Sequence, residues 1–215
     1  MSRRSSLLLV FILLIGQVFA KKILIPMDES QANHLKAYGL AFWALERDVE
    51  VQWLLNYQGG SFMIEHYPEL ESELVIRGVT YDNIADAKAT AMLLEISNPE
   101  VNMDAIKLEK APKIAVYSPK SAQPWDDAVT LVLTYAEIPY DVIYDDEIID
   151  GKLHLYDWLH LHHEDFTGQY GRFYGSYRNH KWYQDQVAEF EKTAARLGFA
   201  KVSELKLAVS LRIKE

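Results

Sequence analysis

Short apolar runs alternate along this chain with stretches whose apolar residues recur at helical spacing. The apolar runs predict buried strands at residues 23–25, 49–57, 74–76, 113–117, 140–144 and 156–162. The helical spacing predicts helices at residues 35–45, 85–96, 128–135, 182–197 and 203–214. Alternation of this kind predicts an α/β fold with a doubly wound, mostly parallel sheet and a helical C-terminal segment.

The first twenty residues have the pattern of a secretory signal peptide. Arg3 and Arg4 precede an apolar run over residues 7–15, and Ala20 ends a small-residue cleavage site. The run is shorter than the roughly 20 apolar residues of a membrane-spanning helix. We therefore expect an exported protein, periplasmic or secreted after cleavage near Ala20. Contact with the membrane is expected only through this segment where it stays uncleaved.

Three segments follow from these patterns, namely the signal peptide at residues 1–20, an N-terminal α/β part at 21–110 and a second α/β part with C-terminal helices at 111–215. The net charge of −9 includes the two arginines of the signal, so the mature chain carries −11. This charge argues against a nucleic-acid partner. The chain has no cysteine, which excludes disulfides.

Polar residues follow several of the predicted strands. In a doubly wound sheet, ligands bind beyond the carboxyl ends of the strands. If all strands run parallel, that rim gathers Asp28, the loop at 58–61, and residues 118–123, 145–147 and 162–165. We therefore expect a ligand site that includes Asp28, Gly59, Gly60 and Ser118. The two glycines would hold an anion through backbone N–H groups, or else form a plain turn.

Residues 157–166 are rich in histidine and acidic side chains. On a strand, His160 and His162 share a face and can bind one metal ion, with Asp165 as an oxygen ligand. This set predicts a zinc site. Alternatively, His162, His163 and Glu164 supply acid–base groups, or the segment is a packed strand with a solvated end. The segment also partly resembles the His-x-His-x-Asp-His motif of metallo-β-lactamase-like hydrolases. It departs from that motif at Glu164 and Asp165, which leaves a second metal position unsupported.

Aromatic residues crowd the region around and after this segment. They are Tyr156, Trp158, Phe166, Tyr170, Phe173, Tyr174, Tyr177, Trp182 and Tyr183. Rings beside polar side chains hold sugars because the C–H faces of a sugar stack on them. The two interpretations are carbohydrate binding and packing in a core.

Several long blocks resemble a family of exported bacterial proteins labelled asparagine synthetase B. These blocks are KILIPMD at 22–28, NHLKAYG at 33–39, WLLNYQGGSF at 53–62, LEKAPKIAVY at 108–117, and residues 157–170. The resemblance covers essentially all of the mature chain. It implies that the region from about Lys113 onward is similar to class I glutamine amidotransferases, with a flavodoxin-like fold. Family members continue further, which leaves open that residues 111–215 are a truncated amidotransferase-like part.

The enzyme chemistry that the family label implies needs residues that this sequence lacks. A glutamine-dependent asparagine synthetase uses an N-terminal cysteine and an ATP-pyrophosphatase loop, and a class I amidotransferase uses a cysteine on a strand-to-helix turn. Since the chain has no cysteine, neither reaction can run on these residues.

The sequence therefore predicts a catalytically incomplete amidotransferase-like domain that binds a small polar ligand or a cell-envelope partner. Three alternatives stay open. The first is a metal-dependent hydrolase using His160, His162 and Asp165 with a zinc cofactor, and the second is binding of envelope carbohydrate. The third is the labelled synthetase, with the missing chemistry supplied from elsewhere. Whether the protein is an enzyme is left open with them.

Overall fold

The computed structural model describes residues 21–119, 127–161 and 170–215, without the side chains of residues 170–173. The chain is an α/β protein that divides into two compact units, Met1–Ala111 and Pro112–Glu215. The predicted signal peptide lies outside the described residues. Within the described ranges, no helix is long and apolar enough to cross a membrane.

Within residues 21–111, the first unit contains five strands and three helices. In chain order they are β1 (Lys21–Ile25), α1 (His34–Leu45), β2 (Val51–Leu55), β3 (Ser61–Glu65), α2 (Pro68–Arg77), β4 (Asp82–Ala85), α3 (Asp86–Ile96) and β5 (Asp104–Leu108). The strands form one sheet in the order β4-β1-β3-β2-β5, and every pairing in it is antiparallel. The prediction of a parallel sheet was therefore wrong for this half of the chain.

A tight turn after β2 is the physical reason for the antiparallel pairing. Asn56, Gln58, Gly59 and Gly60 all have positive φ angles, so the backbone reverses within five residues. Strand β3 then returns along β2, with Trp53 opposite Phe62. The predicted strand at 74–76 was also wrong. Those residues lie in α2, which begins at a proline and ends at a left-handed glycine.

Helices cover both faces of the antiparallel sheet. Ile23 and Ile25 pack with α1 and α2 on one face, and Leu24 packs with α3 on the other. Alternate residues of a strand point to opposite faces, so burial on both sides requires consecutive apolar residues. This arrangement explains why β1 is a continuous apolar run although its neighbours run antiparallel.

The second unit contains three strands and five α-helices within its described residues. In chain order they are β6 (Ile114–Tyr117), α4 (Ala128–Ala136), β7 (Asp141–Ile143), α5 (Asp145–Ile149), a 3-10 helix (Lys152–Leu155), β8 (Trp158–Leu161), α6 (Tyr170–Tyr177), α7 (Lys181–Arg196) and α8 (Val202–Lys214). The strands pair in the order β7-β6-β8, and both pairings are parallel, as predicted for this half.

The core of the second unit lies on one face of its sheet. Ala115 and Tyr117 pack there with apolar residues of α5, α7 and α8, including Ile148, Ala194 and Leu205. The opposite face carries Val116 and its register partner His160. Helix α4 begins beside His160, because its N-cap residue contacts that imidazole. The N-terminus of α4 therefore lies on this opposite face.

Candidate functional site

The carboxyl edge of the parallel sheet brings together polar residues from all three strand ends. Ser118 follows β6, Asp145 follows β7 after one residue, and His160 is the penultimate residue of β8. In doubly wound sheets, ligands bind outside this edge, at the point where the strand order reverses. The order β7-β6-β8 makes β6 and β8 neighbours, so the carboxyl ends of these two strands lie side by side at this edge.

Asp127 and His160 form a polar pair at this point. Asp127 is the N-cap of α4, and its Oδ1 accepts hydrogen bonds from the N–H groups of Val129 (2.7 Å) and Thr130 (3.1 Å). The Nε2 atom of His160 lies 3.2 Å from the same oxygen. Both side chains are mostly buried. The N-terminus of α4 therefore holds the Asp127 carboxylate within hydrogen-bonding distance of the His160 imidazole.

The pair fixes which nitrogen of His160 carries a proton. An ionised carboxylate only accepts hydrogen bonds, so Nε2–H is the donor to Asp127. In the neutral imidazole, Nδ1 is then an acceptor. The site can therefore receive a hydrogen bond from a ligand at Nδ1, while Asp127 keeps the ring in one orientation.

Ser118 extends the carboxyl end of β6 by one residue. Its backbone N–H donates to the carbonyl oxygen of Ile143 at 3.0 Å, which continues the ladder between β6 and β7. Ser118 is buried, so its hydroxyl lies under the surface of this edge. The structure thus places Ser118, which the predicted rim included, at the same edge as His160, which that rim did not include.

A second polar cluster in this unit was not predicted. Lys206 of α8 is buried, and its Nζ lies 2.9 Å from Oδ2 and 3.1 Å from Oδ1 of the fully buried Asp145. The hydroxyl of Tyr117 donates to Asp145 Oδ1 at 2.6 Å. The same ammonium donates to the hydroxyl of Tyr144 at 3.0 Å. Each charge in the cluster therefore has an opposite charge or a hydroxyl beside it.

Aromatic rings complete the surroundings of the Lys206 ammonium. It lies 4.3 Å from the ring centroid of Tyr144 and 5.0 Å from that of Phe190. Cation–π attraction of this kind is stronger in a desolvated site. The cluster joins α8, α7 and the ends of β6 and β7, so it stabilises the carboxyl edge from the core side.

Asp28 lies in the first unit, in a short turn after β1. The side chain and backbone of Ser30 both donate to its carboxylate, and these hydrogen bonds lower the pKa of Asp28. The Nε2 atom of His34 lies 3.0 Å from the carbonyl oxygen of Asp28 and 3.2 Å from that of Met27. These contacts are local, so the carboxylate of Asp28 closes the turn in which it lies.

Gly59 and Gly60 form the turn between β2 and β3, close to the chain at Met27. A Cβ atom on Gly59 would lie 2.3 Å from the carbonyl oxygen of Met27, so only glycine fits there. The N–H groups of Gly60 and Ser61 both donate to the carbonyl oxygen of Tyr57 at 3.0 Å. Because these two donors are already used, the geometry favours the plain turn over an anion cradle.

The single rim that was expected to gather these residues does not form. Asp28, Gly59 and Gly60 belong to the antiparallel sheet of the first unit, whereas Ser118 belongs to the parallel sheet of the second. The prediction assumed one parallel sheet throughout. The turn between β2 and β3 makes the sheet of the first unit antiparallel, so this assumption does not hold. Ser118 keeps its place at a carboxyl edge because its own sheet is parallel.

The predicted zinc site falls mostly on residues that the structure does not describe. His162, His163, Glu164 and Asp165 lie outside the described residues. Among the residues with described positions, no group of three or more histidine, cysteine, aspartate or glutamate side chains could hold a metal ion. The Nε2 atom of His160 is already bonded to Asp127, which leaves Nδ1 as the ring nitrogen for any further partner.

Comparisons with family models, with curated proteins and with solved structures find no match. The resemblance to the family labelled asparagine synthetase B therefore stays a prediction from the sequence blocks.

A further polar cluster surrounds Glu71 in the first unit. Its carboxylate lies 2.9 Å from His66 Nε2 and accepts hydrogen bonds from the Tyr81 hydroxyl at 3.0 Å and the Asn83 amide at 2.8 Å. These three hydrogen bonds lower the pKa of Glu71 to about 2, with the His66 contact as the largest cause. The cluster ties the first turn of α2 to β4. Sequence reasoning missed it because its members come from three separate segments.

Proposed function

We propose that this chain is an exported, catalytically incomplete amidotransferase-like protein, and that its second unit binds a small polar ligand between β6 and β8. The hydrogen bond between His160 and Asp127 at 3.2 Å is the observation that carries the proposal. It presents an oriented imidazole at the position where a doubly wound sheet binds its ligands.

The strand order supports the amidotransferase-like, flavodoxin-like part of the proposal. In chain order, the three strands of the second unit are arranged 2-1-3. The flavodoxin-like sheet has the order 2-1-3-4-5, so the observed strands match its first three. Its ligand site lies between strands 1 and 3, which here are β6 and β8. The strand order and the hydrogen bond between His160 and Asp127 therefore both support a ligand site between β6 and β8.

Local charge indicates which ligand groups suit this edge. The Asp127 carboxylate lies beside the site, whereas Asp145 and Asp146 of α5 are paired with Lys206 and Arg196. A ligand that presents N–H donors suits these surroundings better than an anion does. Nδ1 of His160 accepts such a donor. The primary amide of a free amino acid supplies one, so we propose glutamine or asparagine as the ligand class.

Calorimetric titration of the purified mature protein tests this site. We expect glutamine or asparagine to bind more tightly than glutamate or aspartate. His160→Ala should raise the Kd by about tenfold, the loss expected for one hydrogen bond in a partly buried site. The matched control is His154→Ala, because His154 lies in the same unit, is exposed, and bonds only locally to the Gly151 carbonyl. It should leave the Kd unchanged.

Two results would count against this proposal. One is the absence of heat or thermal stabilisation with all four amino acids. The other is equal affinity of the His160→Ala and His154→Ala proteins, provided that circular dichroism shows both to be folded.

The export part of the proposal has its own test. Expression of the full reading frame with its native N-terminus should give a mature protein that starts at Lys21, since the predicted cleavage follows Ala20. Intact-mass measurement checks this. A protein that stays in the cytoplasm with residues 1–20 attached contradicts export and leaves the ligand site to be judged separately.

A further inference from the structure

Helices α6 and α7 of the second unit meet at a tight corner over residues 178–180. The N–H group of His180 donates to the carbonyl oxygen of Tyr177 at 2.8 Å, and the N–H group of Gln184 donates to that of His180 at 3.0 Å. The side-chain amide of Gln184 donates to the carbonyl oxygen of Arg178 at 3.2 Å. These hydrogen bonds hold the backbone of the corner in one conformation, which reduces the cost of ordering it when a ligand binds.

Three aromatic side chains on this corner are exposed, and we call Tyr174, Tyr177 and Trp182 the aromatic corner. Tyr174 is 49% exposed and Trp182 is 52% exposed. Their neighbour Tyr183 is only 2% exposed and anchors the corner in the protein. The ring centroid of Trp182 lies 5.3 Å from that of Tyr177 and 5.6 Å from that of Tyr183.

The exposure decides between the two interpretations of these aromatic residues. Tyr183 is a packing residue, as a core interpretation requires. Tyr174, Tyr177 and Trp182 are not, because each presents a large part of its ring to solvent. Large rings are among the strongest contributors of buried area when they are covered. Three of them exposed at one rigid corner indicate a surface that a partner covers.

The polar groups around the aromatic corner indicate the chemistry of that partner. Arg178, Asn179 and His180 are exposed beside the rings. Residues 174–184 contain no acidic side chain, although the whole chain has 31 acidic against 22 basic residues. Lys181 pairs with Asp185, so the positive charge that the corner offers is that of Arg178. The corner is thus a locally basic surface on an acidic protein, and a negatively charged ligand complements it.

We propose that the aromatic corner binds a glycan chain that carries carboxylate groups. The C–H faces of its sugar rings stack on Trp182 and Tyr174, since aromatic faces suit apolar ring faces. The guanidinium of Arg178 binds a sugar carboxylate, because its fork of N–H donors matches two carboxylate oxygens. The amide of Asn179 and the imidazole of His180 can bond sugar hydroxyls. This inference is independent of the ligand proposed between β6 and β8.

Titration of the full mature chain with defined oligosaccharides tests the inference, read by tryptophan fluorescence and calorimetry. The acidic ligands are galacturonate and mannuronate oligomers, and the neutral comparison is a xylose oligomer of equal length. We expect at least one acidic oligomer to bind about tenfold more tightly than the neutral one. Trp182→Ala and Tyr174→Ala should each raise its Kd by about tenfold. Arg178→Ala should remove the preference for the acidic oligomer.

Tyr135→Ala is the matched control for Tyr174→Ala. Tyr135 lies on α4 of the same unit and is 48% exposed. Each substitution therefore removes a tyrosine ring of nearly equal exposure, but from a different helix. The control should leave the Kd unchanged. The inference is overturned if neither acidic oligomer binds, or if acidic and neutral oligomers bind equally. It is also overturned if phosphatidylglycerol vesicles bind in their place, or if Tyr135→Ala and Tyr174→Ala have the same effect in folded proteins.

Discussion

Replacing Lys206 with methionine removes the ammonium that lies beside the carboxylate of Asp145, which has no contact with solvent. Asp145 is fully buried, and the Lys206 Nζ lies 2.9 Å and 3.1 Å from its two oxygens. In Lys206→Met the charge of Asp145 keeps only the hydroxyl of Tyr117 as a close partner, at 2.6 Å. Removal of one partner from a buried ion pair costs about 3–5 kcal/mol of folding free energy.

Urea unfolding followed by circular dichroism measures this loss. At an m value of about 2 kcal/mol/M, the midpoint of the transition that unfolds α8 should fall by about 1.5 M or more. Hydrogen exchange of peptides from α8 assigns that transition to the second unit. Lys192→Met is the matched control, because Lys192 pairs with Glu189 on the exposed side of α7. An exposed ion pair contributes little, so this control should not shift the midpoint.

A double variant separates charge burial from simple loss of packing. In Lys206→Met with Asp145→Asn, no charge remains buried, and the new amide oxygen still accepts from the Tyr117 hydroxyl. The double variant should therefore be more stable than Lys206→Met alone. The buried charge of Asp145 is not the cause of the loss if the second substitution destabilises the protein further. The same conclusion follows if Lys206→Met and Lys192→Met have equal urea midpoints.

Two more substitutions test the first unit. Gly59→Ala should lower the urea midpoint clearly more than Gly78→Ala, because both glycines have positive φ but only at Gly59 does the added Cβ meet backbone within 2.3 Å; equal shifts would contradict the close approach. Glu71, with a folded pKa of about 2 against an ordinary 4.5, contributes stability that is present above pH 4.5 and is lost as the pH falls towards 2. Glu71→Gln should flatten this acid dependence while Glu69→Gln keeps it, as urea midpoints measured across that pH range would show; the same pH profile for both variants would contradict the assignment.

The second unit could be predicted from the sequence further than the first. Its strands are short apolar runs separated by helical stretches, and parallel strands need such long connections between them. The first unit has equally apolar strands, but helices cover both faces of an antiparallel sheet there. Strands β2 and β3 therefore look like parallel strands although a five-residue turn joins them. Positive φ angles at Asn56, Gln58, Gly59 and Gly60 make this turn possible, and a glutamine such as Gln58 gives no sequence signal of a positive φ.

The Lys206 cluster shows a different limit of sequence reasoning. Val202, Leu205, Lys206 and Val209 are the buried residues of α8, and they follow the i, i+3, i+4, i+7 spacing of an apolar stripe. A lysine at the third position of that stripe indicates that another group must neutralise its positive charge. Its partner Asp145 lies 61 residues earlier, at the start of a five-residue helix, so spacing alone gives no way to pair them.

Asp127, the partner of His160, makes local hydrogen bonds within α4 and a long-range hydrogen bond to β8. Asp127 occupies the N-cap of α4 because its side chain satisfies two N–H groups of the first turn that have no helical partner. This role depends on α4 alone and would hold without β8. The helix therefore fixes the carboxylate, and the carboxylate then selects the tautomer and orientation of His160. The start of α4 therefore sets the direction in which Nδ1 of His160 can accept a hydrogen bond from a ligand. For this reason, this edge of the sheet is the strongest candidate site among the described residues.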